Sequence, residues 1–542
     1  MSDEGSSTER WLALAFFVVV TLVFTYPLST HPGSTRLGSD PDVHTFTWTL
    51  GWDAHAFLHR PWTIFDANIF YPYERTLAFS ENLTGSALVA APVIWLTGNY
   101  VLAMNTVALL SVVLCGFGAY VLARQIGLSV AAALICGLVF AFSPARFFRF
   151  QQIHLTAIQW IPFTLAALHA YWQRGRPRDL RLAAALFTLQ VLTSLHGGVY
   201  LALAISVLLI VAVCTGTPLA LPRRLRDLGV IGAALLLANA VLAIPYLQVQ
   251  REMRLVRTLE NWIPTPESFL ASPTHVHSWL LSLLFAGGIN DRASAFLFPG
   301  IVPIVLAAIA IGMLRRGRYR TTTILYGVVT LLAVVLSAGP PLSVWPYVYW
   351  LPGLNFIRIP SRFFLLGVLG IAVLAGIGFQ CLAHVLKPSR RLAIAAFVCA
   401  AFLVESAAMP LPLTPYTVEF APVDRWLATQ PAPFAIAEVP VGPVTRYHST
   451  YMLHSMAHWQ RTVHGHSSLT PELHVQLYER LRSFPDDASL EMLERIGVDY
   501  VVVHLDMYGP GRFDAVDIAL ARYAARLEPL YADTTGRVYR LR

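Results

Sequence analysis

The chain has 542 residues, of which 56% are hydrophobic and 13% charged, with a mean hydropathy of +0.57. So apolar a balance excludes an ordinary soluble globular protein and points to a chain that crosses a membrane many times. The formal charge of +8 is no nucleic-acid footprint, because nearly all the basic residues are Arg in short clusters between apolar runs, the pattern of topology anchors.

Met1 to Arg10 is polar with both signs of charge, and no small-residue cleavage pattern follows the apolar run from Trp11, so a retained first span is expected rather than a cleaved signal peptide. Runs long enough to cross about 30 Å of hydrocarbon occur at Trp11 to Ser29, Tyr100 to Leu122, Leu128 to Phe142, Leu155 to Trp172, Leu180 to Leu195 and Val199 to Thr215. Others follow at Leu228 to Leu247, Phe296 to Leu314, Thr323 to Ser337, Phe363 to Leu386 and Leu392 to Met409. The reading is a mainly α, polytopic helical bundle of about eleven spans. All five cysteines, Cys115, Cys136, Cys214, Cys381 and Cys399, fall inside apolar runs and read as small core residues.

With the N-terminus cytoplasmic, every short basic connection falls on one side. These are Arg124, then Arg174 to Arg181, then Arg223 to Arg226, then Arg315 to Arg320, then Lys387 to Arg391. That predicts a multi-pass membrane protein with its N-terminus in the cytoplasm. The opposite, outer side receives a long first loop (30–99), the turn Ser143 to His154, the turn His196-Gly197-Gly198, a second long loop (248–295) and the turn Gly339 to Arg362. Ala87 to Leu96 and Trp279 to Phe285, too short to cross, fit helices lying in the interface.

From Pro410 the composition becomes that of a soluble domain, entered through a stiff linker of Pro410, Pro412, Pro415 and Pro422. Phe434 to Val439, Tyr500 to His504 and Val538 to Leu541 read as strands; Pro471 to Arg482 and Ser489 to Ile496 read as helices. The expected division is a membrane domain over 1–409 and an extracytoplasmic α/β domain over 410–542.

Polar groups concentrate on the outer side. In Gly38-Ser39-Asp40-Pro41-Asp42-Val43-His44, ahead of Trp48 and Trp52, the proline turns the chain and holds Asp40 on a loop. Acids and an imidazole at the mouth of a membrane chain face water, a partner or a substrate; the plain alternative is a solvated turn. In Ser143 to His154, Arg146 and Arg149 are one helical turn apart among phenylalanines, and a phosphate at the membrane surface would account for them, as would snorkelling to lipid headgroups. Gln152 and His154 follow, and Arg358 and Arg362 straddle Pro360 on the same side. His196 precedes two glycines, which permit close backbone approach. The second long loop adds Arg251, Arg254, Arg257 and Glu260 on one helix face, then His275 and His277, a pair without a third metal ligand. There is no Walker A loop, Gly-x-Ser-x-Gly elbow or His-Glu-x-x-His.

The layout, an acidic motif opening the first outer loop, interfacial helices, many spans and a C-terminal outer domain, resembles the GT-C superfamily of membrane glycosyltransferases, in the branch of protein O-mannosyltransferases and aminoarabinose transferases. Phe142-Ser143-Pro144-Ala145-Arg146, Gln159-Trp160-Ile161-Pro162, Leu297-Phe298-Pro299-Gly300, Arg358 to Phe363 and Glu438-Val439-Pro440 are similar to segments of uncharacterised bacterial membrane proteins of that superfamily.

The resemblance implies an inverting transferase that moves a sugar, hexosyl or pentosyl, from a polyprenyl-phosphate carrier to a glycan, lipid or protein acceptor, with membrane lipid as its surroundings and no nucleic-acid partner. It implies Asp40 as general base and Asp42 as the positioning acid. Because Pro41 separates a pair that is often adjacent in the family, which of the two is the base stays open. Arg146, Arg149, His154, Arg358 and Arg362 would hold the donor phosphate, and His44, Gln152, His196, Glu74 and Glu81 would contact substrate. No cofactor or metal ligand is assigned, and a metal requirement is left open. The rival readings are a transporter or flippase of a lipid-linked glycan and a non-catalytic envelope-assembly protein. The first predicts charges deep in the spans, where Glu405 is the main one. The second would use the aromatic- and His-rich segment from Tyr447 to His466, including Tyr451, His454, His458, Trp459, His464 and His466, to grip a sugar or polymer.

Overall fold

The computed structural model describes residues 3–37, 41–150, 152–215, 222–253, 264–285, 288–314, 318–339, 343–351, 354, 357–442, 446–508 and 512–542. Asp40, Arg254, Arg257, Glu260, Arg315, Arg316, Asn355 and Phe356 lie outside the described residues. Contacts gather the chain into two units. One comprises Met1–His31, Thr106–Leu242 and Val256–Leu413, the other Pro32–Asn105, Ala243–Leu255 and Thr414–Arg542.

The long apolar runs are mostly helical, with a break between Thr156 and Trp160, but the helices differ in reach. Six are long and apolar enough to cross a membrane among the described residues: Ser7–Phe24, Tyr100–Ile126, Leu195–Cys214, Arg223–Glu252, Arg320–Ser337 and Pro360–Val385. The helices Val130–Phe142 and Ile301–Gly312 have 13 and 12 residues, about 20 Å at 1.5 Å per residue, short of the hydrocarbon thickness. Composition gave their apolar character; the turns that shorten them, at Ser143 and Gly300, are set by packing and chain geometry.

In the first unit the Phe364–Val385 helix is the centre, packed against Val130–Phe142, Ile301–Gly312 and Arg320–Ser337. Glycines make this possible, since a Cβ at Gly378 would lie 1.8 Å from the Leu306 carbonyl oxygen and one at Gly370 would lie 2.2 Å from Thr330 Oγ1. Small residues let helix backbones approach where lipid offers no hydrophobic drive. By contrast, the most apolar 18-residue window of Arg223–Glu252 has no buried residue. Glu405, the acid that stood out within a span, accepts from the backbone N–H groups of Ile301 at 3.0 Å and Val302 at 3.1 Å, with His277 Nε2 3.5 Å away. It caps the Ile301–Gly312 helix, where a negative charge meets the positive end of the helix dipole. Trp279 to Leu284 belongs to a helix, His275–Leu284, which Phe285 ends.

In the second unit a mixed sheet runs in the order 461–462, 435–439, 500–504, 536–541, 527–532. Ala435–Val439 pairs parallel with Arg461–Thr462 and Tyr500–His504, and the last two strands add antiparallel. The strands at 435–439 and 500–504 are buried throughout, as their unbroken apolar runs require. Helices Glu472–Leu481 and Asp487–Ile496 cover the sheet core with Leu477, Leu481, Leu490 and Leu493. The C-terminal segment does not fold on itself alone. Helix Asp42–His59 packs on Thr84–Thr97 and on Arg446–His454, and Trp48, Trp52, Phe70, Phe79, Met452 and Met456 share one apolar cluster.

Candidate functional site

Within the first unit, the turn after Val130–Phe142 and the entrance to Phe364–Val385 place cationic side chains together. Arg149 donates through Nη1 to Gln152 Oε1 and through Nη2 to Ser361 Oγ, both at 3.4 Å. Arg362 Nη1 lies 3.0 Å from His196 Nε2, and the His196 and His154 rings meet edge to face with centroids 5.4 Å apart. His196 is held by the start of its helix: Ser194 caps it by accepting from Gly197 N–H at 2.9 Å and donates to the His154 carbonyl at 2.5 Å. The close approach that the paired glycines permit is made by the preceding helix, since a Cβ on Gly197 would stand 2.3 Å from Gln190 Nε2.

Among the described residues, the charges that act most on Arg149 and His154 are cationic. Burial, and then the charge of Arg362, pull the Arg149 guanidinium down to about 10. Burial first, then Arg362, His196 and Arg149, push the His154 imidazole well below its ordinary value. Cations gathered in a partly dehydrated place raise one another's cost, and an anion bound among them would relieve it.

Arg146 is engaged by other groups. Arg146 is only 1% exposed. Its Nη1 donates to the Ala141 carbonyl at 2.9 Å, and its Nη2 donates to the Thr156 carbonyl at 2.8 Å, with Cys115 Sγ at 3.0 Å and Ser111 Oγ at 3.3 Å. That guanidinium closes the helix ends around it. Arg358 is exposed.

In the second unit Asp42 is the first residue of helix Asp42–His59, with Pro41 as its cap. His44 Nδ1 lies 3.2 Å from Ser449 Oγ, its ring stacks on Tyr416 at 5.7 Å, and Thr45 Oγ1 lies 2.9 Å from His466 Nδ1. Glu74 is exposed at a cavity of about 250 Å³ lined also by Arg60, Asp66, Trp459 and Arg461. Glu81 is buried, and both it and Asp53 lie near Tyr246, whose hydroxyl accepts from Asn82 Nδ2 at 2.9 Å. The segment from Tyr447 to His466 turns largely inward: His448 Nδ1 meets His464 Nδ1 at 3.1 Å, and His464 Nε2 accepts the Glu438 N–H at 2.8 Å.

Asp53 escapes a sequence reading, since nothing in Gly51-Trp52-Asp53-Ala54 marks it. It is fully buried, with the Thr84 side chain set against its carboxyl. Burial pushes its carboxyl well above the usual range, with Thr84 acting weakly the other way. The folded state therefore keeps a proton that the unfolded chain releases above about pH 4, so this group lowers stability as pH rises from there towards its folded value. Asp53→Asn is expected to raise the unfolding temperature more at pH 8 than at pH 5, by about 1 °C for each kcal/mol relieved in a chain of this length. Thermal unfolding of both proteins across that range checks it; a constant offset would refute it.

No family model matches the chain, and no curated protein matches it by sequence. Solved structures match it in fold. The arabinofuranosyltransferase AftD from Mycobacteria aligns with a TM-score of 0.60 at 15% identity, over 98% of this chain and 40% of AftD. ArnT from Cupriavidus metallidurans in the apo state aligns at 0.52 and 14% identity, over 99% and 98% of the two chains. The archaeal oligosaccharyltransferase AglB from Archaeoglobus fulgidus, in complex with an inhibitory peptide and a dolichol-phosphate, aligns at 0.51 and 12% identity, over 98% and 74%. This chain thus spans less than half the length of AftD.

Proposed function

Starting from a chain that has the GT-C fold of membrane glycosyltransferases, we propose that it moves a hexosyl or pentosyl group from a polyprenyl-phosphate carrier to a hydroxyl of an envelope glycan, lipid or protein. The reaction is assigned to the outer face of a bacterial cytoplasmic membrane, with the N-terminus inside and the C-terminal segment outside. The observation that carries this reading is the cluster of Arg149, Arg362, His154 and His196. A lipid phosphate gains negative charge as the glycosidic bond breaks, and two preorganised guanidiniums stabilise that charge more in the transition state than before it. Gln152 and Ser361 orient Arg149, and His196 orients Arg362.

Asp40 takes the acceptor proton in this scheme, and Asp42 positions the acceptor together with His44, Glu74 and Glu81. Attack on the anomeric carbon opposite the leaving phosphate inverts its configuration. The neighbour AglB holds a dolichol-phosphate, which supports a lipid-phosphate carrier for this chain.

The test is a full-length preparation in nanodiscs, titrated with polyprenyl phosphate and with the uncharged polyprenol, then supplied with a polyprenyl-phosphate sugar in native membranes. The phosphate should bind at least about tenfold tighter than the alcohol, since a charge-assisted contact is worth upwards of 1.5 kcal/mol, and sugar should leave the carrier. Equal binding of the two lipids, or flipping of the carrier with its sugar still attached, would sink the proposal. In the same assay, Asp40→Asn and Asp42→Asn identify the base as the one whose loss lowers turnover at saturating acceptor.

A further inference from the structure

Independent of the transferase reading, the second unit holds four potential metal ligands from four separate elements. Asp424 comes from helix Pro422–Leu427, Glu438 from strand Ala435–Val439, His454 from the end of helix Arg446–His454, and His504 from the end of strand Tyr500–His504. Their ligand atoms all lie within 4.8 Å of one another. His504 Nε2 stands 3.1 Å from Glu438 Oε1, and His454 Nδ1 stands 3.4 Å from the same oxygen. Those separations match the edge of a tetrahedron, about 3.3 Å, that bonds of 2.0–2.1 Å to a single zinc ion would impose.

One further observation points to a missing partner. Asp424 is only 1% exposed, and its Oδ1 is buried with no hydrogen-bond partner among the described residues, while Oδ2 accepts the Ala421 N–H at 3.0 Å. An orphaned carboxylate oxygen at such depth costs free energy unless something cationic meets it. Outside the ligand set, the groups are arranged as supports. Tyr451 stacks on the His504 ring at 5.3 Å and 20° and anchors its own hydroxyl on the Pro440 carbonyl at 2.7 Å. The Glu438 backbone N–H is held by His464 Nε2 at 2.8 Å. Such outer contacts fix ligand orientation in metal sites.

We infer that Asp424, Glu438, His454 and His504 bind one divalent transition-metal ion, with zinc as the ion the ligand set suits best. Two carboxylates and two neutral imidazoles neutralise a dication, and imidazole nitrogen favours zinc over magnesium or calcium. Bound there, the ion ties the helix Pro422–Leu427 to the sheet and to the segment from Arg446 to His454, closing the C-terminal segment. All four ligand positions are occupied by protein, so the site is a structural clamp.

The experiment is elemental analysis of the full-length protein purified without chelator, followed by stripping and zinc titration against a chromophoric competitor. About one zinc per chain is expected, with a fall in unfolding temperature on stripping that added zinc reverses. His454→Ala and His504→Ala should each lower zinc affinity at least tenfold. Asp424→Asn, which keeps side-chain volume and leaves three ligands, should weaken zinc and abolish the zinc-dependent part of the unfolding temperature. Background metal content with no saturable uptake of zinc or manganese would overturn the assignment. So would an Asp424→Asn protein that folds and still binds zinc as tightly as the wild type.

Discussion

Arg149→Ala and Arg362→Ala are each expected to lower sugar transfer from a polyprenyl-phosphate donor by about 10²–10³, the usual effect of removing one donor that meets developing charge. The loss should lie mainly in turnover rather than in donor affinity, because the phosphate is already anionic when bound and the guanidinium gains most as the leaving charge grows. Arg149→Ala should cost the fold little. The two arginines oppose each other, burial and Arg362 having already drawn Arg149 down to about 10, so deleting one relieves the other. Arg362→Ala loses the contact to His196 at 3.0 Å, but removes a charge that acts on both Arg149 and His154. Lysine at either place should restore part of the rate, since it keeps the charge without the planar fork. Steady-state kinetics on membranes with matched protein content checks all of this. A variant with wild-type turnover would remove that arginine from the site.

Arg146→Ala should do the reverse. Its guanidinium satisfies the Ala141 and Thr156 carbonyls at 2.9 and 2.8 Å and lies beside Ser111 Oγ and Cys115 Sγ. Truncation opens a cavity and takes the donor from the buried Ala141 carbonyl, while the Thr156 carbonyl keeps Ser111 Oγ and the Ile158 N–H, both at 2.8 Å; the cost is roughly 2–4 kcal/mol. Against a total stability of about 5–15 kcal/mol, that is enough to cut accumulation in membranes sharply. Arg146→Lys, with one nitrogen in place of a fork, should recover little of it. The readout is protein yield and unfolding temperature, with donor turnover per folded molecule as the control. An Arg146→Ala protein that accumulates and unfolds like the wild type would show that these contacts contribute nothing.

The pair Arg146 and Arg149 shows where a sequence reading stops. Both sit in Ser143-Pro144-Ala145-Arg146-Phe147-Phe148-Arg149, three residues apart and flanked by phenylalanine. Nothing local distinguishes them. The difference is made by helix Tyr100–Ile126, whose Ser111 and Cys115 meet the first, and by Ser361, more than 200 residues along the chain, which meets the second. The histidines behave alike: His454 and His504 meet at Glu438 only because two strands and a helix converge, so no spacing in the chain announces them.

What the sequence by itself determined was the apolar runs that form helices, the two fully buried strands at 435–439 and 500–504, the apolar pieces of the loops that form helices at Thr84–Thr97 and His275–Leu284, and the close packing made possible at His196-Gly197-Gly198. These depend on composition and on the periodicity of neighbouring residues, which any one stretch of chain displays. Only the tertiary structure decided the lengths of Val130–Phe142 and Ile301–Gly312, the sharing of a core between the first loop and the C-terminal segment, the burial of Asp53, and which polar side chains meet partners of like or opposite charge. Burial and charge pairing are properties of surroundings drawn from distant parts of the chain, and those surroundings exist only once the chain has folded.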